Sequence, residues 1–155
     1  ITEGSDFVYA KCEKSLKRCN IKTMPHPGFP TDMQPQITAL LSTISGTSLV
    51  NEAVWDNRFR YIEELRRMGA NISVDGRVAI IEGVPELIGA PVKATDLRAG
   101  AALIIAGLAA KGITSISEIQ HIERGYENMI EKLKNIGANI KKVSEENIEN
   151  SAYGF

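Results

Sequence analysis

The sequence predicts an α+β fold built from a repeated βαβαββ-type unit, with the strands outside and the helices inside. Two observations support this prediction. First, the same order of motifs occurs twice along the chain, which indicates an internal duplication. Second, residues 97–110 (LRAGAALIIAGLAA) are apolar nearly all round, which is typical of a helix enclosed by other elements.

The duplication is visible in pairs of motifs whose separation grows in two small steps. Each pair begins or ends a predicted helix, so the two copies follow one plan with short insertions between them. The pairs are Asp32 and Asp96, 64 positions apart, Arg58 and Arg124, 66 apart, and Gly69 and Gly137, 68 apart.

In the first copy, the pattern predicts a helix that begins after Pro30 and ends at Gly46. Thr31 and Gln34 have the spacing of a capping box, in which each side chain bonds the other residue's backbone N–H. Apolar residues at helical spacing define its expected inward face. These residues are Met33, Ile37, Leu40, Leu41 and Ile44.

The rest of the first copy predicts a strand, a helix and a hairpin. The strand covers residues 48–54, and the second helix ends at Gly69. Two strands over residues 71–81 meet at Asp75-Gly76, a sequence typical of tight hairpins. The expected inward residues of the helix are Phe59, Ile62, Leu65 and Met68.

The second copy predicts a helix at 97–110, a strand at 113–120 and a helix at 125–136, then a weaker hairpin from Ile140. The inward face of its last helix is predicted to hold Tyr126, Met129, Ile130, Leu133 and Ile136. Residues 1–12 resemble the hairpin that closes each copy. We therefore expect the sequence to begin inside a third copy and to be part of a longer protein.

Composition and charge limit the possible functions. The 155 residues are 43% hydrophobic and 24% charged with a net charge of -1, which argues against a nucleic-acid binder. The longest apolar stretch, Ala99–Ala110, is about half the length that spans a bilayer. No signal peptide is visible within this sequence. We expect a cytoplasmic protein with no membrane partner.

Asp32 and Asp96 each lie at the first position of a predicted helix, after a threonine. An acidic first turn interacts favourably with the helix dipole, by about 0.3–1 kcal/mol, so a structural role explains either residue. Asp32 also follows the proline-rich segment PHPGFP (25–30), and helix N-termini bind anions and polar ligands. The residues alone leave both roles open.

Three arginines lie near predicted helix starts, where a cation interacts unfavourably with the helix dipole. A phosphate or carboxylate ligand would explain them, because guanidinium and free helix N–H groups bind oxyanions together. A salt bridge to an acidic neighbour is an equally open alternative. The arginines are Arg58, Arg98 and Arg124, and the acidic neighbours are Glu52, Asp56 and Glu123.

The sequence offers no metal or cofactor motif. His26 and His121 are far apart, and Cys12 and Cys19 match no zinc spacing. Phosphate-binding loops, dinucleotide fingerprints and nucleophile elbows are missing from the sequence. We therefore expect no metal, no cofactor and two free thiols in a reducing compartment.

Four segments, in the family's order, resemble the UDP-N-acetylglucosamine 1-carboxyvinyltransferases. They are PHPGFPTDMQPQ (25–36), NEAVWDNRFRYIEELRRMGA (51–70), ATDLRAGAALIIAGLAAKG (94–112) and HIERGYENMIEKLKNIGANI (121–140). The resemblance implies an inside-out α/β barrel in two halves of three repeats each. This chain would supply the last two-thirds or so of the C-terminal half.

On that alignment, residues 1–145 form part of the catalytic domain, in about two and one-third units. A partial unit covers about 1–24, and further units cover about 25–90 and 91–145. The tail at 146–155 runs past the usual end of the family.

The resemblance implies transfer of the enolpyruvyl group of phosphoenolpyruvate to the 3-hydroxyl of UDP-N-acetylglucosamine, with release of phosphate. That is the first committed step of peptidoglycan synthesis, which supports cell wall biogenesis, cell shape and cell division. The chemistry needs a base at the hydroxyl, an acid at C3 and cations around phosphate and carboxylate. The implied partners are the two substrates and the missing N-terminal half of the same enzyme.

Two residues match catalytic positions of the family. Asp32 matches the carboxylate that binds the sugar and is proposed to take the hydroxyl proton, and Arg124 matches the arginine that holds the phosphate side of phosphoenolpyruvate. Val54 matches a backbone contact to the nucleotide-sugar.

Further matches are substrate-binding. Asp96, Leu97 and Arg98 match a helix start linked to substrate handling and product release, and Arg58 matches another arginine near the site. The family's Lys-Asn pair, its loop with the reactive cysteine and further arginines have no counterpart here, so we expect the isolated chain to be inactive. Two alternatives stay open: a 5-enolpyruvylshikimate-3-phosphate synthase-like enzyme, and a non-catalytic nucleotide-sugar-binding module.

Overall fold

The computed structural model describes residues 1–11 and 15–143. Its helices and strands, in chain order, are β1 (Thr2–Glu3), β2 (Val8–Tyr9), β3 (Ile21–Lys22), α1 (Gln34–Leu41), β4 (Thr47–Asn51), α2 (Ile62–Arg67), β5 (Asn71–Asp75), β6 (Val78–Glu82), β7 (Pro91–Lys93), α3 (Leu97–Ala109), β8 (Ser115–Ser117), α4 (Gln120–Glu123) and α5 (Met129–Asn135). Two 3-10 turns, Thr31–Met33 and Arg58–Tyr61, lead into α1 and α2.

A parallel strand–helix–strand crossover occurs twice in the fold. β3 pairs in parallel with β4 across α1, and β7 pairs in parallel with β8 across α3. In the first copy, β6 then pairs antiparallel with both β4 and β5, giving a four-stranded sheet in the order β3-β4-β6-β5. The elements of this copy follow the predicted βαβαββ order.

The core forms where α1, α2 and α3 pack against one another and against the sheets. The predicted second helix of the first copy is confirmed, with Ile62, Leu65 and Met68 buried. Helix α3 is only partly enclosed. Leu103 is fully buried, whereas Ile105 is 41% exposed, so the prediction of an enclosed helix holds for its first turns.

Sheets in the described residues do not close into a barrel. They form a four-stranded sheet and two two-stranded ones, β1-β2 and β7-β8. The mixture of helices and strands agrees with the predicted class, and the inside-out barrel stays a prediction. Within the described part of the chain, no helix is both long enough and apolar enough to cross a membrane.

The predicted face of α1 is wrong at two positions. Met33 is half exposed and Leu40 is also exposed, whereas the polar residues Gln34 and Thr38 are buried. Gln34 is buried because its Oε1 accepts a hydrogen bond from Tyr61 Oη at 3.1 Å, and the Thr38 hydroxyl donates to the Gln34 carbonyl at 3.0 Å. Polar residues can therefore occupy the inward face when they find partners there, although the buried Nε2 of Gln34 has no hydrogen-bond partner within the described residues.

The predicted capping box is also wrong. Pro30 is the N-cap of the first turn and makes no side-chain cap. The Thr31 hydroxyl instead donates to Glu52 Oε2 at 2.9 Å, and the Gln34 side chain is engaged with Tyr61. Tertiary partners thus replace the local reciprocal bonds.

Other predicted elements are confirmed or shortened. The hairpin at 71–81 forms as β5 and β6, and the one at the start forms within residues 1–11. The strand at 113–120 shortens to β8. The helix at 125–136 starts only at Met129, because Asn128 has a left-handed φ of 51°. Ile136, expected inward, is exposed.

The final predicted hairpin does not form in its described part. Residues 140–143 contain no strand. The rest of that hairpin, the tail at 146–155 and Cys12 lie outside the described residues.

A test of the core compares two neighbouring residues of α3. Leu103→Ala should lower the free energy of unfolding by about 2–5 kcal/mol, because it leaves a cavity where α3 packs. Ile105→Ala, at the exposed face, should lower it by about 1 kcal/mol or less. Urea unfolding of both variants measures the difference, and equal losses would show that the helix faces are assigned wrongly.

Candidate functional site

Asp32 lies at the centre of a cluster of charged side chains. Its Oδ1 accepts a hydrogen bond from Arg58 Nη2 at 2.9 Å, and its Oδ2 accepts one from Arg98 Nη2 at 2.8 Å. Each carboxylate oxygen therefore has its own guanidinium. The Asp32 side chain is still 55% exposed, so a ligand can approach it.

Three separate segments bring these side chains together. Asp32 lies in the 3-10 turn before α1, Arg58 begins the 3-10 turn before α2, and Arg98 lies in the first turn of α3. Asp32 and Arg58 belong to the first copy of the motif, and Arg98 belongs to the second. Their ion pairs thus join the two copies beside the contact of α1 with α3.

The arginines keep Asp32 ionised. The hydrogen bond from Arg98 lowers the pKa of the Asp32 carboxyl most, partial burial opposes it, and the charges of Arg98 and Arg58 lower it further. In return, the bond to Asp32 raises the pKa of Arg98. A carboxylate held this way is a strong hydrogen-bond acceptor and a weak base while both arginines are paired.

A second carboxylate, that of Glu52, lies buried next to this cluster. Its side chain accepts four hydrogen bonds and the residue is 1% exposed. Oε1 accepts from the Thr23 hydroxyl at 2.7 Å and from the backbone N–H groups of Val54 and Trp55 at 2.9 and 3.0 Å. Oε2 accepts from the Thr31 hydroxyl at 2.9 Å.

Burial acts to raise the pKa of Glu52, but the hydrogen bonds outweigh it and lower the pKa below its ordinary value. The bond from Thr23 has the largest lowering effect, followed by those from Trp55, Val54 and Thr31. Glu52 is therefore a buried charge whose acceptors are satisfied. Sequence reasoning named it only as a possible partner for an arginine.

The two backbone groups of Val54 differ in their hydrogen bonding. The N–H donates to Glu52 Oε1 at 2.9 Å, whereas the carbonyl oxygen accepts no backbone hydrogen bond within the described residues. The neighbouring Trp55 side chain is exposed. It lines a cleft of about 240 Å³ together with Arg58, Arg60 and Arg77, a surface rich in guanidinium groups.

Asp96 is held differently from its duplicate, Asp32. It is the N-cap of α3, and its Oδ1 accepts from the backbone N–H groups of Arg98 at 2.8 Å and Ala99 at 2.9 Å. The predicted position in the first turn is confirmed for Asp32, which lies in the 3-10 turn Thr31–Met33, whereas Asp96 lies one position earlier, at the N-cap. The Asp32 side chain caps nothing and binds arginines instead.

Within the described residues, Arg124 forms no hydrogen bond or ion pair with this cluster. It follows α4 as its C-cap, so the prediction that it begins a helix is wrong, and a cation there suits the dipole. The side chain is exposed, and in residues 1–11 and 15–143 it has no ion pair. Its expected acidic neighbour, Glu123, pairs with Lys142.

The acidic neighbours proposed for Arg58 are not its partners. Glu52 bonds hydroxyl and N–H groups, and Asp56 pairs with Arg77. The buried Nε of Arg58 has no hydrogen-bond partner within the described residues. Among those residues, no group of three or more His, Cys, Asp or Glu side chains could hold a metal ion.

Comparison of the sequence with known families gives one match across nearly the whole chain. Residues 1–148 match the family described as EPSP synthase (3-phosphoshikimate 1-carboxyvinyltransferase). Among curated proteins, the chain is 56% identical over 142 residues to UDP-N-acetylglucosamine 1-carboxyvinyltransferase 2 of Clostridium acetobutylicum. It is 57% identical over 146 residues to UDP-N-acetylglucosamine 1-carboxyvinyltransferase 1 of Carboxydothermus hydrogenoformans.

These matches cover 92% and 94% of the chain but only 34% and 35% of the relatives. The chain therefore spans about a third of their length. Among solved structures, the enolpyruvyl transferase NikO from Streptomyces tendae is similar with a TM-score of 0.76 and 34% identity, over 84% of this chain and 30% of that one. EPSP synthase from Acinetobacter baumannii, at 21% identity and a TM-score of 0.60 over 83% and 29%, shares the fold.

The buried charge of Glu52 predicts a dependence of stability on pH. Because its pKa is lowered in the folded chain, its contribution is present above the ordinary value of 4.5 and is lost as the pH falls through the lowered pKa. Glu52→Gln should lower the free energy of unfolding at neutral pH by about 1–3 kcal/mol, since an amide cannot accept all four bonds.

Urea unfolding between about pH 7 and pH 3 tests this expectation. The Glu52→Gln variant should lose less stability on acidification than the unsubstituted chain. Glu63→Gln, which alters an exposed partner of Arg66, is the matched control and should follow the unsubstituted curve. Parallel curves for Glu52→Gln and the unsubstituted chain would contradict the assignment.

Proposed function

The chain belongs to the EPSP synthase family of enolpyruvyl transferases, and from this we propose that it forms the Asp32 side of the active site of a UDP-N-acetylglucosamine 1-carboxyvinyltransferase. Such an enzyme moves the enolpyruvyl group of phosphoenolpyruvate to the 3-hydroxyl of UDP-N-acetylglucosamine and releases phosphate. The observation that carries the proposal is the exposed Asp32 carboxylate between Arg58 and Arg98. Relatives at 52–57% identity that bear this enzyme's name support it.

In the proposed reaction, Asp32 accepts the proton of the sugar hydroxyl as its oxygen adds to C2 of phosphoenolpyruvate. C3 is protonated in the same addition, and phosphate leaves in the elimination that follows. While both arginines are paired, the lowered pKa of Asp32 makes it a weak base. A substrate anion that draws a guanidinium away would raise that pKa and let the carboxylate take the proton.

The neighbouring residues have roles that follow from their free groups. We assign the Val54 carbonyl oxygen to the nucleotide-sugar, since the Val54 N–H is already bonded. Arg58 and Arg98 meet anionic groups of the substrates, because each has donors beyond the one given to Asp32. Asp96 acts through the start of α3, which it caps and which carries Arg98.

Arg124 is proposed to hold the phosphate side of phosphoenolpyruvate. Its exposed side chain has no partner in the described part of the chain, so it can bind an anion without breaking an ion pair. Because it makes no hydrogen bond or ion pair with the Asp32 cluster in the described part of the chain, we propose that it reaches the substrate when the rest of the enzyme closes over the site.

The remaining groups belong, in this proposal, to the rest of a longer enzyme. The acid for C3 and further anion-binding residues have no candidate in this chain, which spans about a third of its relatives' length. The same proposal includes the closed inside-out barrel, the repeated units near 1–24, 25–90 and 91–145, and a cytoplasmic role in peptidoglycan synthesis.

A chimera tests the proposed activity. The segment of the Clostridium acetobutylicum relative that matches this chain over 142 residues is replaced by this chain's residues. The chimera should release phosphate only when both phosphoenolpyruvate and UDP-N-acetylglucosamine are present, and the 155-residue chain alone should release none. Release that requires shikimate 3-phosphate would favour a 5-enolpyruvylshikimate-3-phosphate synthase, and a folded but silent chimera would favour a binding module.

The role of Asp32 has its own test in the same chimera. Asp32→Asn should lower kcat by about 10²–10⁴-fold, because the amide cannot take the hydroxyl proton. Asp75→Asn, at the last residue of β5, is the control and should keep the chimera's rate. Comparable rates for Asp32→Asn and the unsubstituted chimera would exclude Asp32 as the base.

A further inference from the structure

Glu52 contacts two of the segments that carry proposed substrate-binding groups. One is the turn Thr31–Met33, which carries Asp32, and the other is residues 52–55, which carry Val54. Its Oε2 accepts from the Thr31 hydroxyl, and its Oε1 accepts from the N–H groups of Val54 and Trp55. A single buried carboxylate therefore spans the two segments.

A third contact fixes Glu52 itself. The hydroxyl of Thr23, a fully buried residue just after β3, donates to Oε1 at 2.7 Å and accepts from the Ala53 N–H at 2.9 Å. The Thr23 N–H in turn donates to the Asn51 carbonyl at 2.9 Å. These bonds tie the Glu52 side chain to the sheet, so it cannot follow one segment without the other.

We propose that Glu52 is a positioning residue that sets the distance between the Asp32 carboxylate and the Val54 carbonyl oxygen. In the proposed enzyme, these two groups contact the same nucleotide-sugar, so their separation decides where the sugar hydroxyl lies relative to Asp32. The inference rests on the proposed function and adds to it a residue that need not touch the substrate.

The chemistry of Glu52 suits this role. All four partners are donors, and an ionised carboxylate is the side chain that accepts without donating. An amide in its place would point its N–H groups at a donor. The four donors therefore require an ionised carboxylate at this buried position. The buried charge is tolerated because the carboxylate accepts a hydrogen bond from each of them.

A second buried glutamate offers a matched comparison. Glu64 in α2 is nearly as buried and accepts from the Lys93 N–H at 3.0 Å, with Arg67 nearby at 3.7 Å. Within the described residues, its hydrogen bond and ion pair go to neither the Asp32 turn nor residues 52–55. Glu64→Gln therefore shows what the loss of a buried glutamate does without a positioning role.

The test removes one bond and keeps the charge. Thr31→Val deletes the hydroxyl that donates to Oε2 at nearly unchanged volume, and Thr31→Ser keeps it. The full 155-residue chain is labelled with ¹³C and the titration of the Asp32 carboxyl is followed by NMR. In Thr31→Val, the pKa of Asp32 should rise towards its ordinary value, because the carboxylate is no longer held between its two arginines.

Thr31→Ser should restore the lowered pKa, and Glu64→Gln should leave it lowered. A Thr31→Val chain in which Asp32 titrates as in the unsubstituted chain would overturn the proposal. So would an equal rise in Glu64→Gln, since the effect would then come from general loss of stability.

Kinetics in the chimera supply the second readout. Thr31→Val should lower kcat/KM for UDP-N-acetylglucosamine by about ten- to a hundredfold, the effect of a small misplacement, with little change in KM for phosphoenolpyruvate. Thr31→Ser should recover most of the loss. A KM for phosphoenolpyruvate that changes as much as the KM for UDP-N-acetylglucosamine would contradict the proposal. If the unsubstituted chimera is silent, the proposed function fails, and the Asp32 titration in the full chain still decides the role of Glu52.

Discussion

The arrangement of the site depends on a buried negative charge. Glu52 lies at the end of β4, where its carboxylate gathers donors from three places: the end of β3, the turn before α1, and the backbone just after Glu52 itself. An unpaired charge in such a position would be strongly destabilising, so the segments must stay where their donors reach it. Asp32 is held one residue away from one of those donors.

The fold is duplicated, but the site next to Glu52 is not. Both copies keep the parallel crossover, yet equivalent residues have separate tasks. Asp96 caps its helix, whereas Asp32 binds the arginines of both copies. Glu118, which occupies the position equivalent to Glu52, is exposed and accepts from Gln120. Because of this difference between the copies, the exposed Asp32 carboxylate lies between two arginines, although the chain as a whole is nearly neutral.

The sequence predicted those parts of the fold that depend on local spacing. The hairpin at 71–81 and the buried face of α2 follow from alternation and helical period, and the family follows from long motifs. The face of α1 could not be read in this way, because Tyr61 gives buried Gln34 a partner. An apolar residue such as Met33 is predicted to face inward whenever it fits the helical spacing, and the structure shows it exposed.

The site shows the same limit. Arg58 and Arg98 were noticed because their charges do not suit helix starts, but their shared partner is set by tertiary packing across 66 residues of sequence. Glu52 gave no local signal of its role, since its donors Thr23 and Thr31 are ordinary residues 29 and 21 positions away.

The most direct test of this buried charge is the titration of the Glu52 carboxyl by ¹³C NMR in the full chain. Burial alone would place its pKa above the ordinary value of 4.5, and the four hydrogen bonds are what lower it. The titration midpoint is therefore expected below that value. A midpoint above it would mean that the donors do not hold a charge there, and that another contact fixes the position of Asp32.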